Sequence, residues 1–331
     1  MSDNQSTNPK QFTYATRVDK VTGNWKLTRS IRVILTVAVA IIMLIPVSWM
    51  IMTAFKSRAD AVAAPPKVIF EPSMEGFIAL LTQRRQLTEE QGLQALQSRT
   101  DLKWYDKVML KRGQQIIDKS EYVDYLTNSV IISVISTIFS VVLGVLAGYA
   151  FSRFPVKGKD DLMFFILSTR MLPAVVVTIP IFLMYRQVGL YDTRIGMILL
   201  YIVFNLSFSV WLMKGFIDEI PREYEEAALV DGYSRLQAFW KVVLPQAVTG
   251  IAATTVFCLI FAWNEYGFAL MLTTETARTA PPSIPSVLGT GGIEWAAIAA
   301  GSLGFLIPVV IVTFALRDYL LRGVTFGAVR R

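Results

Sequence analysis

The 331-residue chain contains no histidine and a single cysteine, Cys258, and these two shortages remove whole classes of chemistry. Without imidazole there is no Ser-His-Asp triad and no Cys-His nucleophile, and a zinc site built on nitrogen and sulfur ligands has nothing to use. One thiol forms no disulfide within the chain. Charge is also scarce: 17% of residues are Asp, Glu, Lys or Arg against 53% apolar, and the mean hydropathy of +0.48 is that of a membrane protein. A nucleotide-binding loop is missing too. Gly158-Lys159-Asp160 lacks both the earlier glycine and the hydroxyl residue of a phosphate loop. Gly289, Gly291 and Gly292 follow no predicted strand and read as a turn.

What the chain does have is six apolar runs, about 31–55, 127–152, 161–186, 195–217, 248–273 and 296–320. Each reaches the roughly 20 residues that a bilayer-crossing helix requires. The runs are continuously apolar and do not alternate, so a transmembrane barrel is excluded. The net charge of +7 sits mostly in short segments on one side of the predicted spans: Lys10, Arg17, Lys20, Lys26, Arg29 and Arg32, then Arg153, Lys157 and Lys159, then Lys214, Arg222, Arg235 and Lys241, and Arg317, Arg322, Arg330 and Arg331 at the end. The two short loops opposite hold only Arg186, Arg194 and Arg278. Such asymmetry sets topology and is not a nucleic-acid footprint. It predicts a cytoplasmic tail over 1–30, a first span at 31–55, a periplasmic segment at 56–126, a five-helix region at 127–320 and a cytoplasmic tail at 321–331. The first run exceeds the roughly 7–15 residues of a signal-peptide core, so it reads as an uncleaved anchor.

Residues 221–245, PREYEEAALVDGYSRLQAFWKVVLP, stand apart. Pro221 suits a helix start, and Glu223, Glu225 and Glu226 complement the positive end of its dipole. Ala227 and Ala228 allow close approach, and Gly232 fits the left-handed residue that ends a helix. A second helix is expected through Arg235–Leu244, stopping at Pro245. The spacing of Glu-Ala-Ala, Gly and Leu-Pro resembles the "EAA loop" of binding-protein-dependent ABC importer permeases, with Val242 where that family more often has isoleucine. The resemblance covers 31–331. Asn128-Ser129, AGYAFSR at 147–153, TRMLP at 169–173, WNEYGFAL at 263–270 and GVTFGAVRR at 323–331 resemble its carbohydrate, maltose-permease-like branch.

The resemblance implies an all-α, polytopic fold of the type I ABC importer permease kind, with six transmembrane helices and both termini in the cytoplasm. It implies a coupling loop at 214–247 in which Glu225, Glu226, Ala227, Ala228, Asp231, Gly232, Leu244 and Pro245 meet an ATPase. The expected partners are a second homologous permease subunit, two ATPase subunits, a periplasmic substrate-binding protein and membrane lipid, with no nucleic acid. The chain itself needs no cofactor or metal; ATP and Mg belong to the ATPase. The C-terminal arginines would also reach that subunit.

Several polar features lie inside or beside the spans. Pro46, Pro173, Pro180 and Pro308 interrupt apolar runs and predict kinks, in a moving helix or a static one. Gly144 and Gly148 make a small-xxx-small face, for packing within the subunit or against a second permease. Arg170 and Glu265 are costly in hydrocarbon, so each faces a polar path or anchors neighbouring helices. Trp263, Asn264, Glu265 and Tyr266, expected in one helical turn, supply the aromatic faces and hydroxyl partners that a sugar requires, while an interfacial aromatic belt explains Trp263 and Tyr266 equally well. Residues 84–120 read as a helical cap, with capping-box spacing from Thr88 to Gln91 ahead of Leu93 and Leu96, and an apolar face from Trp104, Tyr105, Val108, Met109 and Leu110. An ion-coupled secondary transporter with Arg170 and Glu265 as relay is the competing function; it leaves the 221–245 spacing without a purpose. A structural scaffold leaves the intramembrane charges without one.

Overall fold

The computed structural model describes residues 25–325 apart from 89, 92, 93, 95–100, 287, 290 and 291. Most of the N-terminal tail, residues 326–331 with Arg330 and Arg331, and the cap positions Leu93 and Leu96 therefore lie outside the described residues. The chain divides between Trp49 and Met50 into two units. The first contributes most of α1 (Trp25–Ala54), an apolar helix carrying Pro46 without a break. The second holds everything that follows.

In the second unit residues 84–120 are not wholly the helical cap expected. Short helices α2 (Arg58–Ala61), α3 (Glu75–Leu81) and α4 (Trp104–Leu110) accompany an antiparallel hairpin of β1 (Thr82–Gln86) and β2 (Gln114–Lys119). The Gln-Arg-Arg-Gln run of β1 is polar on both sides, so it lacks the apolar stripe that would hold a helix there. Thr88 N–H does donate to Gln91 Oε1 at 3.2 Å, one half of the expected capping box. Met109 and Leu110 of α4 turn inward while Trp104 is 60% exposed.

The membrane-length helices are α5 (Tyr122–Arg153), α8 (Arg194–Asp218) and α15 (Trp295–Thr325), together with α1. The third predicted span is two helices, α6 (Lys159–Ser168) and α7 (Ala174–Gln187), joined through a 3₁₀ turn at Thr169–Met171 and bent by 90°. Leu172 and Pro173 are extended at the bend, because proline disfavours helical backbone in the residue before it. Of the four prolines only Pro173 breaks its span; Pro180 and Pro308, like Pro46, ride inside continuous helices. The loop after α8 carries α9 (Arg222–Val230), α10 (Arg235–Ala238) and α11 (Leu244–Gln246). The fifth predicted span is again two helices, α12 (Val248–Trp263) and α13 (Gly267–Leu272). A one-turn helix, α14 (Ala280–Ser283), and a minimal pair of strands, β3 (Leu288–Gly289) with β4 (Gly292–Ile293), lead into α15.

The frame is the α5–α8 seam. Ser129, Ser133, Ser136, Ser140, Gly144, Gly148 and Ser152 recur every three or four residues on α5 and are all buried. The small side chains let the backbones close in. A Cβ on Gly144 would lie 2.6 Å from Cβ of Ser209, and one on Gly148 would lie 2.9 Å from Cβ of Met213. Gly144 and Gly148 thus pack within the subunit. At one end of the seam Val141, Val145 and Tyr149 of α5 pack with Met213, Ile217, Phe239 and Val243. At the other, Ile132 packs with Tyr185, Leu200, Tyr201, Phe268 and Leu272.

Loops at this second end are pinned by polar side chains. Asn128 donates to the carbonyls of Thr276 (3.0 Å) and Arg278 (2.9 Å) and accepts from Arg194 Nε (2.7 Å). Asp192, at φ 53, accepts from the backbone N–H of Thr274, Glu275, Thr276 and Ala277 at 3.0–3.2 Å. Burial pushes its carboxyl up, but those four donors outweigh it and hold the group below the ordinary value of 3.8. Glu294, 1% exposed, ties the hairpin to the start of α15 through Arg58 (3.4 Å) and Arg84 (3.7 Å).

Candidate functional site

The 221–245 motif folds as two helices separated by a left-handed residue. Pro221 stands just before α9 with extended backbone, so the helix opens at Arg222. It closes on Gly232 at φ +90: Gly232 N–H donates to Leu229 O at 3.1 Å and Tyr233 N–H to Ala228 O at 3.0 Å, the pair of bonds that ends a helix on a glycine. Ser234 then caps α10 reciprocally with Gln237. The second helix does not stop at Pro245. Five residues, Phe239–Val243, form a π turn and α11 continues to Gln246; the axis then bends by 72° into α12. Proline at 245 has no N–H to return to the carbonyl four residues back, and a widened turn ahead of it accommodates that loss.

Glu225 and Glu226 are adjacent in sequence but face opposite ways. Glu225 is buried against α5: its carboxylate accepts from the Tyr149 hydroxyl and, at 3.0 Å, from Arg153 Nε. Arg153 also donates to Ile220 O at 2.8 Å, and Arg222 reaches back to Ser152 O at 2.8 Å. Both members of the Glu225–Arg153 pair have side chains under 10% exposed (8% and 5%). Glu225 is therefore not part of an outward acidic tip; it fastens α9 to the AGYAFSR end of α5. Ala228 is buried, Leu244 is half-buried, and Glu226, Ala227, Asp231, Gly232 and Pro245 are exposed. Beside these stand Val230, Leu236 and Trp240, exposed by 87%, 67% and 57%. Beyond the Glu-Ala-Ala pattern, these three large apolar residues on a polar loop are a further signal that the sequence carries.

The four residues expected in one helical turn, Trp263 to Tyr266, straddle a helix break, and Arg170 lies at another. α12 ends at Trp263; Asn264 is its C-cap, exposed, with its amide donating to Ile260 O at 2.9 Å. Glu265 lies in the break and accepts from Phe268 N (2.8 Å), Ala269 N (3.0 Å) and the Tyr201 hydroxyl (2.8 Å), so its carboxylate caps α13. Trp263 is buried, stacks on Phe305 at 4.9 Å and donates to Phe305 O at 3.3 Å, so it packs α12 against α15. Tyr266 is 45% exposed. Arg170 sits in the 3₁₀ turn of the other broken span, donates to Phe204 O at 2.9 Å and lies over the rings of Phe261 (4.2 Å) and Phe208 (5.4 Å). The two breaks are linked: Phe261 precedes Asn264 by three residues, and Phe204 packs on Phe268 at 4.7 Å. These aromatics were missed as well; Phe204 and Phe208 on α8, and Phe257 and Phe261 on α12, are i,i+4 pairs that sequence spacing shows. No ion pair joins Arg170 to Glu265 among the described residues. Among those residues, too, no three Asp, Glu, His or Cys side chains cluster as metal ligands.

Long apolar helices, two broken spans and a helix fastened beneath them define an integral membrane transport component of several passes. The chain belongs to the family of binding-protein-dependent transport system inner membrane components, whose sequence profile matches residues 140–326. It is 38% identical over 208 residues to the trehalose transport system permease protein SugB of Mycobacterium tuberculosis, covering 62% of this chain and 76% of that protein. It is 28% identical over 306 residues to the trehalose/maltose transport system permease protein MalG of Thermococcus litoralis, covering 92% and 98%. Among solved structures, a chain of a bacterial ABC transporter that imports the acidic polysaccharide alginate is similar with a TM-score of 0.63 at 22% identity, over 89% of this chain and 96% of that one. That last likeness is one of fold.

Proposed function

We propose that this chain is the permease subunit of an ATP-driven importer for a sugar, polyol or related carbohydrate in a bacterial inner membrane. In this reading the bent pair α6–α7 counts as one span and α12 with α13 as another, giving six. Both termini and the 214–247 loop face the cytoplasm, and the 56–126 segment faces the periplasm. A second permease, two ATPase subunits that bind ATP and Mg, and a periplasmic binding protein complete the machine. The observation that carries the reading is the two-faced helix α9. Its inner side is tied to α5 through Glu225, and its outer side leaves Glu226, Ala227, Val230 and Gly232 uncovered for a partner. Closure of an ATPase dimer against the outer side would move α5 and the α8–α12 pair together and switch access at the two breaks. Sugar relatives supply the substrate class. The carboxylate of Glu265 already holds three donors, which disfavours it as the relay of an ion-coupled carrier.

The test is co-purification followed by uptake. A nucleotide-binding chain should accompany this subunit in stoichiometric amount, and Glu226→Lys should abolish ATP-dependent sugar uptake while leaving membrane insertion intact. Uptake driven by an ion gradient with no ATPase present would sink the proposal.

A further inference from the structure

The two charges placed deep in the spans are not equivalent. Glu265 has its oxygens committed to Tyr201, Phe268 and Ala269, two of those donors being backbone amides of α13. Arg170 has no such saturation. Of the five N–H donors of its guanidinium, one is hydrogen-bonded, to Phe204 O. The guanidinium carbon also lies over the faces of Phe261 (4.2 Å) and Phe208 (5.4 Å), two rings set at 85° to each other, and neither ring supplies a lone-pair acceptor for the remaining N–H groups. Among the described residues no carboxylate lies within ion-pair distance of it. Arg170 is half-buried in the 3₁₀ turn at a 90° helix break. A permanent cation held at such a point by ring faces presents an unpaired donor fork to whatever occupies the adjoining space, and a planar fork matches a carboxylate or sulfonate.

We propose that Arg170 is the specificity residue of the path and that the transported sugar carries an anionic group, a carboxylate or a sulfonate. This deepens the reading above and rests on it. Phe261 and Phe208 hold the guanidinium in place, and the N–H groups that have no acceptor among the described residues are what a passing anion meets. A neutral sugar leaves that edge short of acceptors at half-buried depth, and an anionic one supplies them.

The experiment uses the complete importer in proteoliposomes, with glucose, glucuronate and a 6-sulfonated glucose as probes. The binding protein's affinity for each probe is measured separately by calorimetry, and uptake is compared at saturation, so that its own preference drops out. The expected result is uptake of at least one anionic probe exceeding that of glucose by about tenfold or more, the factor that one charge-assisted hydrogen bond supplies. Arg170→Gln should remove that preference by a similar factor while ATP hydrolysis stimulated by the binding protein persists, and Arg170→Lys, which keeps the charge but not the fork, should fall between. If Arg170→Gln fails to assemble, the wild-type preference and the Arg170→Lys variant still decide. Uptake of glucose equal to or above that of both anions, a binding protein that accepts only neutral sugars, or an anion preference untouched by Arg170→Gln would overturn the assignment. Failure of the underlying reading looks different: no ATPase chain and no ATP-dependent uptake of any probe.

Discussion

Glu225→Ala offers a quantitative test of how α9 is held. The substitution leaves Arg153 facing an empty site with its side chain 5% exposed, so solvent does little to compensate. Removing one member of a buried pair costs roughly 3–5 kcal/mol. Arg153 keeps its bond to Ile220 O, and Arg222 keeps its bond to Ser152 O, which places the loss near the lower end, about 3 kcal/mol. At roughly 1.4 kcal/mol per factor of ten, α9 would leave its seat about a hundred times more often. Glu225→Gln keeps an acceptor for Tyr149 and should lose less. Glu223→Ala, exposed on the same helix, should stay within about 0.5 kcal/mol of wild type. The assay is the ratio of sugar imported to ATP hydrolysed, with detergent-solubilised stability followed in parallel. A double-mutant cycle with Arg153→Met isolates the pair, since the double variant should recover part of the loss. If Glu225→Ala preserves both the transport ratio and the stability of the subunit, the latch is an ornament and the reasoning fails.

Gly232→Val places a branched side chain at φ +90 with nothing within 4 Å of the new Cβ, so its effect is backbone strain alone, roughly 1–3 kcal/mol, and should appear as lost coupling with normal insertion. Gly144→Leu drives a side chain into Ser209 and should destabilise the subunit by about 1–3 kcal/mol or more, read as reduced yield of folded protein. Asp192→Asn tolerates the left-handed backbone but removes the charge; hydrogen exchange at residues 275–277 should quicken at pH 7. Because the folded carboxyl lies below 3.8, its contribution is complete above that value and disappears as pH falls through the lowered folded one, so variant and wild type should converge in strong acid. In a Cys258→Ser background, an impermeant thiol reagent applied to intact cells should label cysteine at Thr193 or Thr276 and not at Ser234; the reverse pattern would invert the topology.

Apolar run length located the four membrane-length helices α1, α5, α8 and α15, and the Glu-Ala-Ala, Gly and Leu-Pro spacing located α9 and its left-handed stop, because these depend on local backbone preference. The breaks at Pro173 and at 264–266 were harder to read. A proline predicts a kink but not its angle, and Pro46, Pro180 and Pro308 lie inside continuous helices. The second break depends on Glu265 capping α13, which a run-length argument averages away. The packing of Trp263 on Phe305 was not legible because the two rings are 42 residues apart. Glu225 looked like a docking acid because its partners, Tyr149 and Arg153, lie more than 70 residues earlier. The β1–β2 hairpin is likewise a pairing across a long insertion.

The serine and glycine file on α5 bears on how such a subunit is permitted to move. Interlocked backbones this close behave like a rack and pinion with coarse teeth. A small slip of α5 along α8 would drive Ser209 or Met213 into the helix at Gly144 and Gly148, and the next resting position lies a full turn away, roughly 5.4 Å. Gradual shear along that seam is thereby forbidden, so the two helices travel as one girder. In the alternating-access cycle proposed above, that girder would turn as a body, with the compliance left to the short, interrupted helices around it.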